Sequence, residues 1–186
     1  FSKIEYSKLS SLEKYILTQV YDFDLRFRDY IKSYNFHKIY IELLNFCTLD
    51  LSAFYFDIKK DILYCDSENS QRRNNCLEIL NVLINFLLKW FSPILAFTSE
   101  EAYQVIKNKK YKSIHLQDFP VIPLMWNNSE IKNKWIGIKK VKQVVNAAIE
   151  DIRNKKIIGS SLEANVIVYL KHEYLNIIKQ EDLSEI

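Results

Sequence analysis

The chain has 186 residues, 48% of them hydrophobic and 26% charged, which is enough apolar material for one ordinary core and excludes both disorder and a collagen-like repeat. With only 2 Gly and 3 Pro, an all-β sandwich needing a turn about every ten residues is hard to build, and long helices are the default. Lys and Arg number 26 against 23 acids, a formal charge of +3, so affinity for an anionic partner has to come from local clustering.

Taken in chain order, Ser10 and Glu13 form a capping box, and Leu12, Ile16, Val20, Phe23, Phe27, Tyr30 and Tyr34 recur at steps of three and four. That spacing predicts a helix of about six turns. A second helix is expected from near Asn35, with Ile39, Leu43, Phe46, Asp50 and Phe54 on one line, antiparallel to the first. The pattern breaks at Asp57-Ile58-Lys59-Lys60-Asp61, and Asp66 to Ser70 reads as a loop. A third helix follows from about Ser70 to Phe91, with Leu77, Leu80, Ile84, Leu87 and Phe91 inward, stopped by Ser92-Pro93. Thr98 and Glu101 suggest a second capping box, with Phe97 stapled onto Ala102, opening a short fourth helix that ends near Lys107. The four helices suggest an up-down bundle.

Residues 108–127 are irregular, with Pro120 and Pro123, and read as a connector returning over the bundle. Ser129 then opens a long helix whose inner face carries Trp135, Ile138, Val141, Val145, Ala148 and Ile152, stopping near Gly159. Asn165 to Leu170 is β-branched and is the single clear strand signal, followed by a terminal stretch of helical character. The expected architecture is therefore all-α, a bundle with its connector over residues 1–127, then a long helix and a short C-terminal strand segment over 128–186.

Cys47, Cys65 and Cys76 have the spacing of neither a disulfide framework nor a zinc site, which implies a reducing, cytosolic home. No run of 18 apolar residues and no signal-peptide core is present, so no membrane partner is expected. The chain opens on Phe1 with no initiator Met and is expected to be a piece of something longer.

Charge is concentrated late. Residues 128–171 carry nine cations against four acids, including Lys132, Lys134, Lys139, Lys140, Lys142, Arg153, Lys155 and Lys156 on or at the end of the long helix. Composition alone favours a solvated helix face; the sharper reading is a surface that binds phosphates, each contact steepening the logarithmic salt dependence by about one unit. Arg72-Arg73, beside Asn69, Ser70, Gln71 and Asn74, has the planar, hydrogen-bonding chemistry of an RNA contact at a helix start, the competing reading being simple helix solubility. Tyr103, Tyr111 and Trp126 lie on or beside the connector, where stacking on bases competes with the commoner role of packing.

Catalytic constellations are missing. His37, His115 and His172 lie far apart with no metal-ligand spacing. Gly137 and Gly159, the only glycines, cannot make a phosphate loop, and Asp57 with Asp61 alternates with Lys59 and Lys60 as a self-compensating helix end.

The segment from Tyr34-Asn35-Phe36-His37 through Asn45-Phe46-Cys47-Thr48-Leu49-Asp50 to Leu63-Tyr64-Cys65-Asp66 resembles the bacterial isoleucyl-tRNA synthetases. The likeness continues at Ser70-Gln71-Arg72-Arg73, at Ser92-Pro93-Ile94-Leu95-Ala96-Phe97-Thr98-Ser99-Glu100-Glu101-Ala102, at His115-Leu116-Gln117-Asp118-Phe119-Pro120 and at Gly159-Ser160-Ser161-Leu162-Glu163-Ala164. It implies the helical anticodon-binding domain of a class I ligase plus the start of its C-terminal junction region. Neither of that family's catalytic signatures occurs, and Met125 is the only Met. The resemblance thus implies a parent that joins isoleucine to its tRNA with ATP and magnesium, any zinc lying beyond Ile186, while this stretch holds no catalytic residue, metal or cofactor. Its expected partners are the anticodon stem-loop of tRNA(Ile) and the rest of the synthetase chain. The residues expected to meet RNA are Arg72, Arg73, Lys139, Lys142, Arg153, Lys155 and Lys156 on phosphates and Lys110, Tyr111 and His115 near unstacked bases. The competing expectation is a helical protein-interaction module that binds no RNA.

Overall fold

In the computed structural model, which describes residues 4–107 and 109–179, the chain is helical and divides into two compact units, Phe1–Asn127 and Asn128–Ile186. Asn108 and residues 180–186 of the terminal stretch lie outside the described residues.

In the first unit, Ser10 Oγ accepts from the Glu13 amide while the Glu13 carboxylate accepts from the Ser10 amide at 2.8 Å. This box opens α1, Ser11–Lys32. Its inward line of Leu12, Ile16, Val20, Phe23 and Phe27 is buried. Tyr30 sits at the margin and Tyr34, 80% exposed, lies past the helix end. Ser33 caps α1 and Tyr34 takes a left-handed backbone with φ 55°, its amide donating to Ile31 O and the Asn35 amide to Tyr30 O. That is a Schellman closure built on a residue other than glycine.

The second helix, α2, runs unbroken over Phe36–Cys65, with a wider π-helical stretch at Phe46–Phe56. The break expected at Asp57 does not occur. Lys59 turns inward, 3% exposed, and its Nζ lies 3.8 Å from the carboxylate of Glu13, while Lys60 pairs outward with Asp57 at 2.9 Å. A buried lysine with an acid opposite it removes the polar step that looked like a terminus. By length and composition α2 is apolar enough to cross a membrane. Here Ile39, Leu43, Phe46, Leu51, Phe54, Tyr55, Ile58 and Ile62 bury themselves in the unit.

Partners across the two helices run in opposite order: Tyr30 and Arg26 with Glu42, Phe23 with Phe46, Tyr15 with Phe54, Glu13 with Lys59. So α2 is antiparallel to α1. The third helix, α3, spans Gln71–Phe91 behind a Ser70 cap. It runs parallel to α1, Asn75 reaching the Lys8 carbonyl and Trp90 reaching Asp24. Its buried stripe is Cys76, Ile79, Leu83, Phe86 and Trp90, whereas Leu77 and Ile84, expected inward, are 36% and 42% exposed. Two apolar stripes one residue apart share the same spacing, and the one carrying Phe86 and Trp90 buries more area.

The fourth helix, α4, starts earlier than expected, at Ala96, and ends at Val105. Thr98 therefore lies within its first turn, the second capping box does not form, and Phe97 is 93% exposed instead of stapled. The connector does return over this unit: Phe119 meets Phe27 edge-on at 5.1 Å, Arg28 Nη2 donates to Pro120 O at 2.7 Å, and Trp126 packs on Phe86.

The second unit is built on α5, Ser129–Asn154, which Asn128 caps through the Ile131 amide. Trp135, Gly137 and Ile138 are buried, but Ala148 and Ile152 are exposed. The helix stops at Asn154, before Gly159, by a second Schellman closure: Lys156 has φ 58°, its amide donates to Arg153 O and the Ile157 amide to Ile152 O. No strand forms among the described residues. Asn165 to Leu170 is irregular, because a strand requires a neighbouring backbone and none is presented to it. Val168, Leu170 and Ile178 of α6, His172–Lys179, instead line an apolar hollow of about 260 Å³ with Ile138, Val141 and Val145.

Candidate nucleic-acid interface

The loop between α4 and the connector is held from one side by α4 itself. Glu100 and Gln104 lie one turn apart and both face it. Glu100 Oε2 accepts from Ser113 Oγ at 2.8 Å and from the Ile114 amide at 3.0 Å. Gln104 Nε2 donates to the Lys112 carbonyl at 2.7 Å, and the Tyr103 hydroxyl donates to the Tyr111 carbonyl at 3.0 Å. Tyr103 is buried with Leu88 and Ile114, so the anchor rests on core. Hydrogen bonds from Ser113 and Gln104 outweigh partial desolvation and hold the Glu100 carboxyl below its ordinary range.

With its carbonyls and amides engaged on the α4 side, the loop turns its other side chains outward. Lys110 and Lys112 are exposed, Lys110 Nζ lies 5.3 Å from the centre of the Tyr111 ring, and Tyr111 as a residue is 37% exposed. A cation beside an accessible aromatic face is a surface on which a base can stack next to a phosphate. Lys109 is drawn back onto Gln104. His115 is exposed, its Nε2 3.2 Å from the Ala96 carbonyl. The structure brings Lys110 and Tyr111 together near the C-terminal end of α4 and sets His115 against its first residue, Ala96. Tyr103 and Trp126, also considered for stacking, are 3% and 2% exposed and belong to the core.

Arg72 and Arg73 open α3, away from that loop in sequence. Arg72 is exposed and has contacts of its own, while Arg73 is partly buried and donates from Nε to the Leu63 carbonyl at 3.1 Å, tying the start of α3 to the end of α2. In the second unit, Lys139 and Lys142 are partly buried and engaged in contacts. Arg153 pairs with Glu150 and Lys155 with Asp151. Lys156, exposed and forced into the left-handed region, projects beside a shallow concavity of about 400 Å³ lined by Arg153, Asn154, Ile157 and Gly159. Sequence reasoning missed Glu100, Gln104 and Lys112; the acid at a four-residue interval from an amide on a short helix was the signal for a brace.

The braced loop presents cations, a phenol ring and an imidazole. Among the described residues no three His, Cys, Asp or Glu side chains gather, and Gly137 and Gly159 lie within and after one helix, so no loop of backbone amides is shaped to wrap a nucleoside triphosphate or its magnesium. The residues present do not fit ATP.

Comparison with known proteins agrees on the kind of domain. The family described as the anticodon-binding domain of tRNA ligase matches residues 13–168. The chain is 49% identical over 183 residues to the isoleucine–tRNA ligase of Pelagibacter ubique, covering 98% of this chain and 20% of that protein. It is 40% identical to the isoleucine–tRNA ligase of Agrobacterium fabrum and 38% identical to that of Bartonella quintana, covering 99% of this chain and 19% of each relative. The chain thus spans about a fifth of the length of these curated relatives.

Proposed function

The chain belongs to the family of tRNA-ligase anticodon-binding domains and is a relative of the isoleucine–tRNA ligases, and from that membership we propose that it binds the anticodon stem-loop of tRNA(Ile) on behalf of a catalytic body. The observation that carries this reading is the braced loop, which holds Lys110, Tyr111, Lys112 and His115 outward without spending its own flexibility at the moment of binding. Bases splayed from the loop of an RNA stack on such a ring and are read along their edges, at about 1–3 kcal/mol per stacked base. Arg72, Arg73, Lys139, Lys142, Arg153, Lys155 and Lys156 serve the phosphates, which set register rather than sequence. Arg72, Arg153, Lys155 and Lys156 are exposed for this. Arg153 and Lys155 would exchange their exposed carboxylate partners for phosphate at little cost, since exposed ion pairs of this kind are weak.

Aminoacylation with isoleucine, with the ATP and magnesium it consumes, is assigned to the parent enzyme and to residues other than these; the partners are then tRNA and the rest of that chain, in the cytoplasm, without a membrane. The alternative of a protein-interaction module predicts no dependence on anticodon sequence. Fluorescence binding to the tRNA(Ile) anticodon stem-loop, over a salt series and against a stem-loop of altered anticodon, tests the choice. The RNA reading requires a falling log K with log salt and weaker binding of the altered loop. Binding that ignores both salt and anticodon overturns it.

A further inference from the structure

Beside the braced loop, the last turn of α3 and the Ile114–Phe119 segment enclose a pocket of about 260 Å³, lined by Lys89 and Pro93 on one side and Ile114, His115, Gln117 and Phe119 on the other. Two stretches more than twenty residues apart in sequence, Ser92-Pro93 and His115-Leu116-Gln117-Asp118-Phe119, meet here. The pocket is amphipathic. Phe119 and Ile114 give it an apolar wall seated on the core, Phe119 against Phe27 and Ile114 with Leu88 and Tyr103. His115, Gln117 and Lys89 supply an imidazole, an amide and an ammonium.

Lys89 is the unusual member. Partial burial draws its pKa down, Asp118 only partly offsets this, and its Nζ makes no ion pair or hydrogen bond among the described residues. A half-desolvated ammonium with open donors in a concave site is poised for an acceptor from outside. The walls are fixed in advance: Glu100 holds the Ile114 amide, His115 Nε2 lies against Ala96 O, and the Ser92 hydroxyl donates to the Lys89 carbonyl.

We propose that this pocket receives one unstacked nucleobase of the bound RNA, with Phe119 and Pro93 against its faces, Lys89 donating to an acceptor on its edge, and the Gln117 amide donating to or accepting from that edge. The inference rests on the tRNA-binding reading above and names a subsite of it. An aromatic wall with an amide and a cation along the rim matches a base, which has an apolar face and a polar edge; a phosphate would find no use for Phe119.

The test uses the intact protein, the tRNA(Ile) anticodon stem-loop, and the same stem-loop made abasic at each loop position in turn. Gln117→Ala and Lys89→Gln each weaken the intact stem-loop about tenfold. At one loop position the abasic RNA binds variant and wild type alike, because the partner of the pocket has already been removed. Circular dichroism of the variants guards against misfolding. If wild type binds with anticodon selectivity but the variants match it, or their losses simply add to every abasic substitution, the pocket holds no base and only this inference falls. If wild type shows no anticodon selectivity, the tRNA reading itself falls and takes the pocket with it.

Discussion

Trp90 donates its indole Nε1 to the Asp24 carboxylate at 3.0 Å in the middle of an aromatic cluster, Phe23 at 4.6 Å and Phe86 at 5.2 Å from its ring. The other carboxylate oxygen accepts from Arg28 Nε at 2.6 Å, and Arg28 Nη2 reaches the Pro120 carbonyl. One buried acid therefore joins α3, α1 and the connector, and it satisfies the only polar atom of the largest core side chain. Replacing Asp24 with Ala strands that indole N–H and releases Arg28, at a cost of about 2–3 kcal/mol. Trp90→Phe removes the donor but leaves the Asp24–Arg28 pair, so it should cost less than Asp24→Ala. Urea unfolding followed by circular dichroism orders the two; equal or reversed losses would show that ring packing, and not the hydrogen bond, dominates.

The Glu42 carboxylate gives a pH-dependent link between α1 and α2. Burial pushes its pKa upward, but hydrogen bonds from Tyr30 and Arg26 outweigh this and leave it lowered. A carboxyl lowered by folding adds stability that is complete above its unfolded pKa, about 4.3, and is lost as pH falls through the folded value. The site is partly exposed, so Glu42→Gln costs about 1 kcal/mol or less at neutral pH. The difference between wild type and Glu42→Gln should shrink on acidification below about pH 4. A gap that stays constant down to that range would mean the charge plays no part.

The helix count, the α1 cap and the antiparallel first pair were legible in the sequence because capping boxes and steps of three and four are local signals. The inward face of α3 was not legible, and the reason is geometric. Leu77, Leu80, Ile84, Leu87 and Phe91 form as regular a stripe as Cys76, Ile79, Leu83, Phe86 and Trp90; what selects between them is where Asp24 awaits an indole, a contact 66 residues distant. Lys59 was misplaced for a similar reason, since its partner Glu13 lies in the preceding helix. At the proposed RNA face, the exposed cations and Tyr111 were visible as residue types, but the brace spans α4 and the loop, and its one local signal, Glu100 four residues before Gln104, does not say which backbone it holds. The α3 result is testable: Leu83→Ala should cost about 2–5 kcal/mol, whereas Ile84→Ala, on the exposed stripe, should cost under about 1 kcal/mol. Thermal unfolding distinguishes them, and equal losses would return the helix to the orientation its periodicity suggested.

Glu100 is expected to govern the shape of the recognition loop more than the stability of the bundle. Its carboxylate meets Ser113 Oγ and the Ile114 amide from an exposed helix face, so Glu100→Ala should leave the unfolding midpoint nearly unchanged. Hydrogen exchange at Ile114 and neighbouring loop amides should nonetheless accelerate, and binding of the anticodon stem-loop should weaken, since the loop must then be ordered by the RNA. Unchanged exchange at Ile114 would remove Glu100 from this role.

Lys156 separates stability from binding in a single side chain. A left-handed φ of 58° costs a residue with a Cβ about 1 kcal/mol relative to glycine, and Lys156 occupies the position after the helix cap where glycine is commonest. It makes no ion pair among the described residues, so no described ion pair is lost with its ammonium. Lys156→Gly should therefore stabilise the second unit by about 1 kcal/mol. If the ammonium meets a phosphate, the same substitution should weaken RNA binding and lower the salt slope by about one. Tyr34→Gly is the matched control, relieving the same backbone cost at φ 55° in the first unit without removing a cation. A stabilised Lys156→Gly whose affinity and salt slope equal those of wild type would take Lys156 off the RNA while leaving the backbone argument intact. A variant no more stable than wild type would show instead that the lysine pays no penalty for its left-handed turn.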